Sequence, residues 1–380
     1  MAHRRARRFA LALASVVGLS LAFAGPIDAH SPSVSVIARH LDNPRGIAVG
    51  PGGRVLVAVA GRGGPAPSGY GLTGRIAVLA GGHVRTYKGS LPSIISEEGA
   101  SGPVGVSVDR WGRVYGTIGG GPQALNKRFG TIMRFRPHHG RTVADIAAYQ
   151  QTDPDPTDLD QPPNPTDSNP YGIAALGWGR ELVTDAGGND LLLVRGGHVV
   201  TVARFPNQVI STAFLPPMFY GPPFNVPPNA QFPAEAVPTS VAVGPDGYWY
   251  VGELKGFPFT PGTSRIWRVA PWARNVTCDP TATSGPCTLF MDGFTSIVGL
   301  AWGHDRSLYV VEMVKNGVAG YFAGTDTVGA LWKVKHGVKK ELIPGRLTLP
   351  GGVAVARNGT IYVTNMSVSV GGGQVLRIRR

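Results

Sequence analysis

The 380 residues include 54 Gly and 33 Pro, nearly a quarter of the chain, against 43% hydrophobic and 16% charged residues. That apolar share excludes an intrinsically disordered chain, and so much Gly and Pro excludes a helical bundle. The formal charge of +13 comes from scattered Lys and Arg with no dense basic block, so nucleic acid is not expected as a partner and the charge alone does not argue for an acidic polymer.

At the N-terminus, Arg4, Arg5, Arg7 and Arg8 precede an apolar run over residues 9–24, and Ala22-Phe23-Ala24 offers small residues for cleavage. The run is short for a membrane span and reads as a secretory signal peptide over residues 1–24, followed by a linker over 25–33. A secreted or extracytoplasmic protein with no membrane span after cleavage is expected. An uncleaved N-terminal anchor is the alternative. The Arg7-Arg8 pair admits twin-arginine export, although its flanks match that signal poorly. Export would permit a disulfide between Cys278 and Cys287 across the polar, turn-like DPTATSGP; two buried thiols are the other option.

From Gly46 onward the chain repeats. Related segments start at Gly46, Gly105, Gly172, Ser240, Gly299 and Gly352, 53 to 68 residues apart. The inner part of each copy aligns without gaps, which indicates a constant strand–turn–strand unit with variable connections. The third position is always small: Ala48, Ser107, Ala174, Ala242, Ala301, Ala354. Such a position suits an innermost strand crowded by its neighbours. Five turns contain Gly, as in Pro245-Asp246-Gly247, where positive φ is needed; the fifth copy has Arg306 instead. Third and fourth strands follow, the fourth in the second copy being placed at residues 143–149. The sixth copy ends before its fourth strand, and residues 34–39 form an unassigned strand at the other end. The pattern predicts an all-β protein: a six-bladed β-propeller of four-stranded blades over residues 34–380, the N-terminal strand closing the last blade. Two packed β-sandwiches fit the even repeat less well.

In a propeller, loops alternate between two faces. Short first-to-second turns lie on one face. The long insertions, residues 61–74, 150–170, 206–238 and 314–328, fall on the other, and loops carry binding more often than scaffold does. Residues 278–287 are the exception, a local staple on the turn face. Phe214, Met218, Phe219, Tyr220, Phe224 and Phe232 in one link would either wall a pocket or pin the link to the rim.

Thirteen residues after each repeat start lies the end of the second strand: Val59, Ile118, Asp185, Glu253, Glu312, Asn365. Four consecutive blades thus offer oxygen ligands on the loop-rich face, with Asn189 close to Asp185. One reading is a ligand or metal site at the channel mouth, with a divalent cation such as calcium. The other is structural, since Asp and Asn at strand ends bond to following turns. No HExxH, GxSxG or P-loop is present.

The segments LDNPRGIAVGPGGRVLVAVAGRGG, DSNPYGI…ELVTDAGGNDLLLV, AVPTSVAVGPDGYWYVGELKGFPF and PGGVAVARNGTIYVTN, with the closing GGGQVLRI, resemble the ScyD/ScyE family. The blade pattern is shared with NHL-type and lactonase-like propellers, whereas GELKGFPF and DAGGNDLLLV are more telling. The resemblance implies an exported six-bladed propeller and brings no catalytic residues with it.

The expectation is therefore a monomeric propeller that binds a small molecule or extracytoplasmic surface partner on its loop-rich face. A metal-assisted, lactonase-like hydrolase using Asp185, Glu253, Glu312 and Asn365 is the enzymatic alternative. A protein-interaction scaffold is the third reading.

Overall fold

The computed structural model describes residues 32–379, except Glu97, Glu98 and Pro223. The expected signal peptide and nearly all of the linker lie outside the described residues. Of seven sheets among the described residues, six are blades, each built on antiparallel strands with the repeat hairpin as its two inner strands, and the seventh is a two-stranded hairpin in a link. The first blade begins with Pro44–Val49 and Val55–Val59, and the sixth with Gly352–Val355 and Ile361–Asn365. The sixth blade is completed by Ser33–Leu41, which pairs with Gly373–Arg379 in the register Val34↔Ile378 and Val36↔Leu376. The chain is a six-bladed β-propeller whose first strand zips its last blade.

Its apolar core is divided into slabs between neighbouring blades. Leu56 and Ile76 of blade 1 pack with Val106, Val114 and Phe135 of blade 2. Tyr115 and Ile132 pack with Ile173 and Val183 of blade 3. Leu182 and Leu193 pack with Val251 and Trp267 of blade 4. Similar clusters join blades 4 and 5, 5 and 6, and 6 and 1. The last of these contains Ala38 and Leu41, so the zipper strand contributes to the joint that closes the ring.

At the axis, backbone replaces side chain. A Cβ on Gly46 would lie 2.7 Å from the Val104 carbonyl oxygen, and one on Gly172 would lie 2.8 Å from Ser240 Cα. A Cβ on Gly105 would collide with the Tyr171 carbonyl and with Thr117 Oγ1. Glycine at these repeat starts lets the innermost strands approach so closely, whereas blade 4 carries the small Ser240 there. The small residue two positions on packs against the next blade, as Ala48 and Ala174 show, or bonds to it, as Ser107 Oγ does with Ala175 N at 3.0 Å. Threonines at the ends of second strands brace the joint. Thr117 Oγ1 accepts from Gly105 N at 2.9 Å and donates to Tyr171 O at 2.8 Å. Thr364 Oγ1 reaches Arg45 O at 2.6 Å across the ring closure. The axial space they leave is about 70 Å³.

Two details differ from expectation. The fourth strand of blade 2 is His139–Asp145, and the following Ile146–Gln150 is a helical turn. Asp145 caps it by accepting from Ala148 N at 2.9 Å, an N-cap that ends the strand. The third strand of blade 1 begins at Tyr70, shortening the preceding loop. Cys278 and Cys287 form a disulfide with Cα atoms 5.2 Å apart. The segment just before Cys278 reaches beyond its own blade, since Val276–Thr277 adds a parallel strand to the outer edge of blade 3.

Gly105→Ala is expected to destabilise the fold by about 1–3 kcal/mol through overpacking against fixed backbone, measured by urea unfolding. An unchanged midpoint would show that the axial strands are less crowded than described.

Candidate functional site

The repeat-end residues sit where the sequence places them, at the ends of second strands, and all are buried. Where the links enter blades 3, 4, 5 and 6, the N–H groups of Asn169, Val237, Thr295 and Thr348 turn to side chains rather than to a ladder. Buried, such a donor needs an acceptor. Three repeat-end side chains provide one to the link entering their own blade. Asp185 Oδ1 accepts from Asn169 N at 2.6 Å, Glu312 Oε1 from Thr295 N at 2.7 Å, and Asn365 Oδ1 from Thr348 N at 2.8 Å. In blade 4 the same task falls to Asn189 of blade 3, whose Oδ1 accepts from Val237 N at 2.8 Å. Glu253 turns instead to Trp267 Nε1 at 2.5 Å and to Lys255 Nζ at 2.7 Å.

No hydrogen bond or ion pair joins Asp185, Glu253, Glu312 and Asn365 to one another. Among the described residues, no group of three or more His, Cys, Asp or Glu is placed to hold a metal ion. The five residues instead form a belt of separate clasps under the loop-rich face.

Around Asp185 the clasp grows into a network. Ser168 Oγ donates to its Oδ2 at 2.6 Å, and Gly187 N to its Oδ1 at 3.1 Å. Gln150 Nε2 lies 3.4 Å from Asp185 Oδ2 and 3.1 Å from Asp190 Oδ2. Burial, then the Asp185 charge, pushes the Asp190 carboxyl well above the usual range. Among the described residues, Asp190 Oδ1 and Gln150 Oε1 are buried without hydrogen-bond partners. Asn189 Nδ2 donates to Asp155 at 2.9 Å and to Glu235 at 3.2 Å, tying the 150–170 link to the 206–238 link. Gln150, Asp155, Glu235 and Lys255 carry no repeat signal in the sequence. Only the fold brings them to these partners. Lys255 is buried, and desolvation lowers its pKa against the pull of Glu253.

The 206–238 link is part anchor and part surface. It contains a hairpin of Gln208–Ser211 and Gln231–Ala234. Phe219, with Leu215 and Val226, packs against Ala319 of the helical turn Val318–Phe322, with Phe257 and Phe259 alongside. Phe232 meets Phe257 edge-on at 5.4 Å. Phe214, Met218 and Phe224 stay exposed, as does Phe322, which lies 5.7 Å from Phe259.

Burial pushes the Glu312 carboxyl up to about 7, opposed by the Trp332 indole and the Thr295 N–H. A carboxyl raised in the folded state binds its proton more tightly there, so its contribution falls as pH rises from the unfolded value near 4.5 through about 7. Glu312→Gln keeps the acceptor for Thr295 and removes the charge. It is expected to raise Tm at pH 8 and leave it unchanged at pH 4, whereas Glu312→Ala lowers it at both by orphaning the Thr295 N–H. Thermal melts at the two pH values check this.

Similar solved structures include an oxidoreductase described as a glucose dehydrogenase from Thermus thermophilus, 17% identical, with TM-score 0.51, covering 92% of this chain and 100% of that one. A protein of unknown function from Bacteroides thetaiotaomicron is 11% identical with TM-score 0.55, covering 92% and 76%. The PQQ-bound aldose sugar dehydrogenase of Streptomyces coelicolor is 14% identical with TM-score 0.50, covering 92% and 98%. At these identities the likeness is one of fold. No protein-family model matches the chain, and no curated protein matches it.

Proposed function

We propose that this chain is an exported, ScyD/ScyE-like binding propeller that receives a small molecule or extracytoplasmic partner on its loop-rich face. The carrying observation is a set of exposed apolar side chains: Phe224 and Phe322 pack against the rings of Phe219 and Phe259, and Phe214 and Met218 stand exposed on the same link as Phe224. Phe214 is 68% exposed, although it lies on a link fixed by its own small core. Aromatic side chains kept at the surface of an anchored segment mark a recognition patch. Export is supported by the Cys278–Cys287 disulfide, which suits an oxidising compartment. Among the described residues no helix is long and apolar enough to cross a membrane.

The test uses Nile red, a neutral apolar probe. The native protein is expected to enhance its fluorescence saturably, and Phe214→Ser with Phe224→Ser to remove at least four-fifths of the signal without lowering Tm. An unchanged signal in that double variant would end this reading.

One observation favours the cation-dependent alternative. Asp190 Oδ1 and Gln150 Oε1 are unengaged oxygens beside Asp185, the donor type that calcium takes. These three residues would hold the ion, which would supply Lewis-acid polarisation of a substrate carbonyl. A Tm that rises with millimolar calcium and falls on chelation, both effects lost in Asp190→Asn, is the expected signature. Equal melts with and without calcium would remove it.

A further inference from the structure

The turn face carries a second set of unusual residues, in the slot between blades 2 and 3. The repeat sets the background against which they stand out. In blades 2, 4, 5 and 6 a tyrosine on the second strand lies opposite a cation on the third: Tyr115↔Arg134, Tyr250↔Arg268, Tyr309↔Lys333 and Tyr362↔Arg377. In blades 4 and 5 a turn aspartate neutralises that cation. Asp246 lies 2.9 Å from Arg268, and Asp305 lies 2.7 Å from Lys333. In blade 2 the corresponding turn position is Trp111. Among the described residues Arg134 has no carboxylate partner, and its Nε is buried without a hydrogen bond. The nearby Asp109 is taken by Arg113 at 2.7 Å. Directly across the next ladder from Arg134 stands Arg141. Like charges placed opposite each other in an antiparallel pair destabilise the sheet unless something neutralises them.

The facing wall of the slot belongs to blade 3 and is equally out of pattern. Glu181 occupies a position that the other five copies fill with Val55, Val114, Trp249, Leu308 and Ile361. It is fully buried, and neither carboxylate oxygen has a hydrogen-bond partner. Burial raises its pKa to about 7 against the pull of the Arg113, Arg134 and Arg141 charges, and a carboxylate in an apolar register position that lacks hydrogen bonds costs stability. Arg113, Tyr115, Arg134, Arg141 and Glu181 line one cavity of about 190 Å³. Trp178, the chain neighbour of the lining residue Gly179, is 71% exposed and sits at φ +58°, a conformation a bulky side chain rarely adopts. Trp111 holds it edge-on with centroids 4.7 Å apart. Gly177 permits this, because a Cβ there would strike the Trp111 ring.

We propose that this slot is a binding site for an anionic sugar of the uronic acid class. Three guanidinium groups, Arg113, Arg134 and Arg141, share the cavity with the single carboxylate of Glu181, which leaves an excess of positive charge, and Arg134 and Arg141 would take the sugar carboxylate, a group guanidinium recognises by paired charged hydrogen bonds. Glu181 would take a ring hydroxyl, giving its orphan oxygens a partner. The outward face of Trp178 would take the apolar C–H face of the pyranose. The site lies on the face opposite the aromatic patch, so it stands or falls independently of the function proposed above.

The test is calorimetric titration of the full chain with trigalacturonic acid, beside maltotriose as the neutral sugar and triglutamate as the anion without a sugar ring. Saturable binding of trigalacturonic acid alone is expected. Arg141→Ala and Trp178→Ala, both at exposed positions, should each weaken it at least tenfold with Tm unchanged. Glu181→Leu should weaken it at least tenfold while raising Tm, the combination that a structural carboxylate would not give. Absence of trigalacturonic acid binding, equal binding of triglutamate, or affinity retained in Arg141→Ala and Trp178→Ala would each overturn the proposal. A lowered Tm in Glu181→Leu would remove Glu181 from it.

Discussion

The approach of backbone to backbone around the axis constrains everything else in this molecule. A single methyl group on Gly46, Gly105 or Gly172 would meet main-chain or Cα atoms of the next blade, and one on Gly299 or Gly352 would come within 3.1 or 3.0 Å of them. The remaining axial space, about 70 Å³, is far below the ~300–1,000 Å³ of an ordinary ligand site. Recognition is therefore displaced to the loops, turns and inter-blade slots. Ser33–Leu41 supplies the outer strand that the sixth blade lacks and so ties the two ends of the ring together.

Tight closure creates a second problem, which the repeat-end residues solve. Links cannot join the ladders they cross, yet their N–H groups are buried where they re-enter the ring. Asp185, Glu312 and Asn365 each accept from one such donor, and Asn189 does so on behalf of blade 4. Glu253, released from that task, is paired with Lys255 and Trp267. A polar position recurring at the mouth of a propeller thus has a backbone explanation before it has a chemical one. Departures from the clasp, such as the open oxygens of Gln150 and Asp190, are where chemistry can be sought.

The architecture is legible in the sequence because a period-two strand pattern with a fixed Gly turn survives variable loops. The gapless alignment of six hairpins, with the surplus strand before Gly46, is enough to order and close the ring. Contacts made across links are not legible. Asp155, Glu235 and Gln150 lie in or beside segments without repeat register, so nothing local to them announces Asn189 or Asp185 as a partner. The 146–149 stretch reads as strand because its Ile and Tyr fit one, while the capping oxygen of Asp145 favours a helical turn. The slot between blades 2 and 3 is legible in principle. Glu181 breaks an apolar column and Trp111 stands where blades 4 and 5 have Asp246 and Asp305, but each feature gains meaning only when Arg134 and Arg141 are seen facing one another.

The close-packed ring itself is tested most directly by native-state hydrogen exchange across the whole chain. The account predicts that amides of all six innermost strands, from Pro44–Val49 round to Gly352–Val355, exchange together and only through global unfolding. Those of Ser33–Leu41 should join them, and the 206–238 link should open earlier. A ring in which one innermost strand or the zipper strand exchanges well ahead of the others would contradict it.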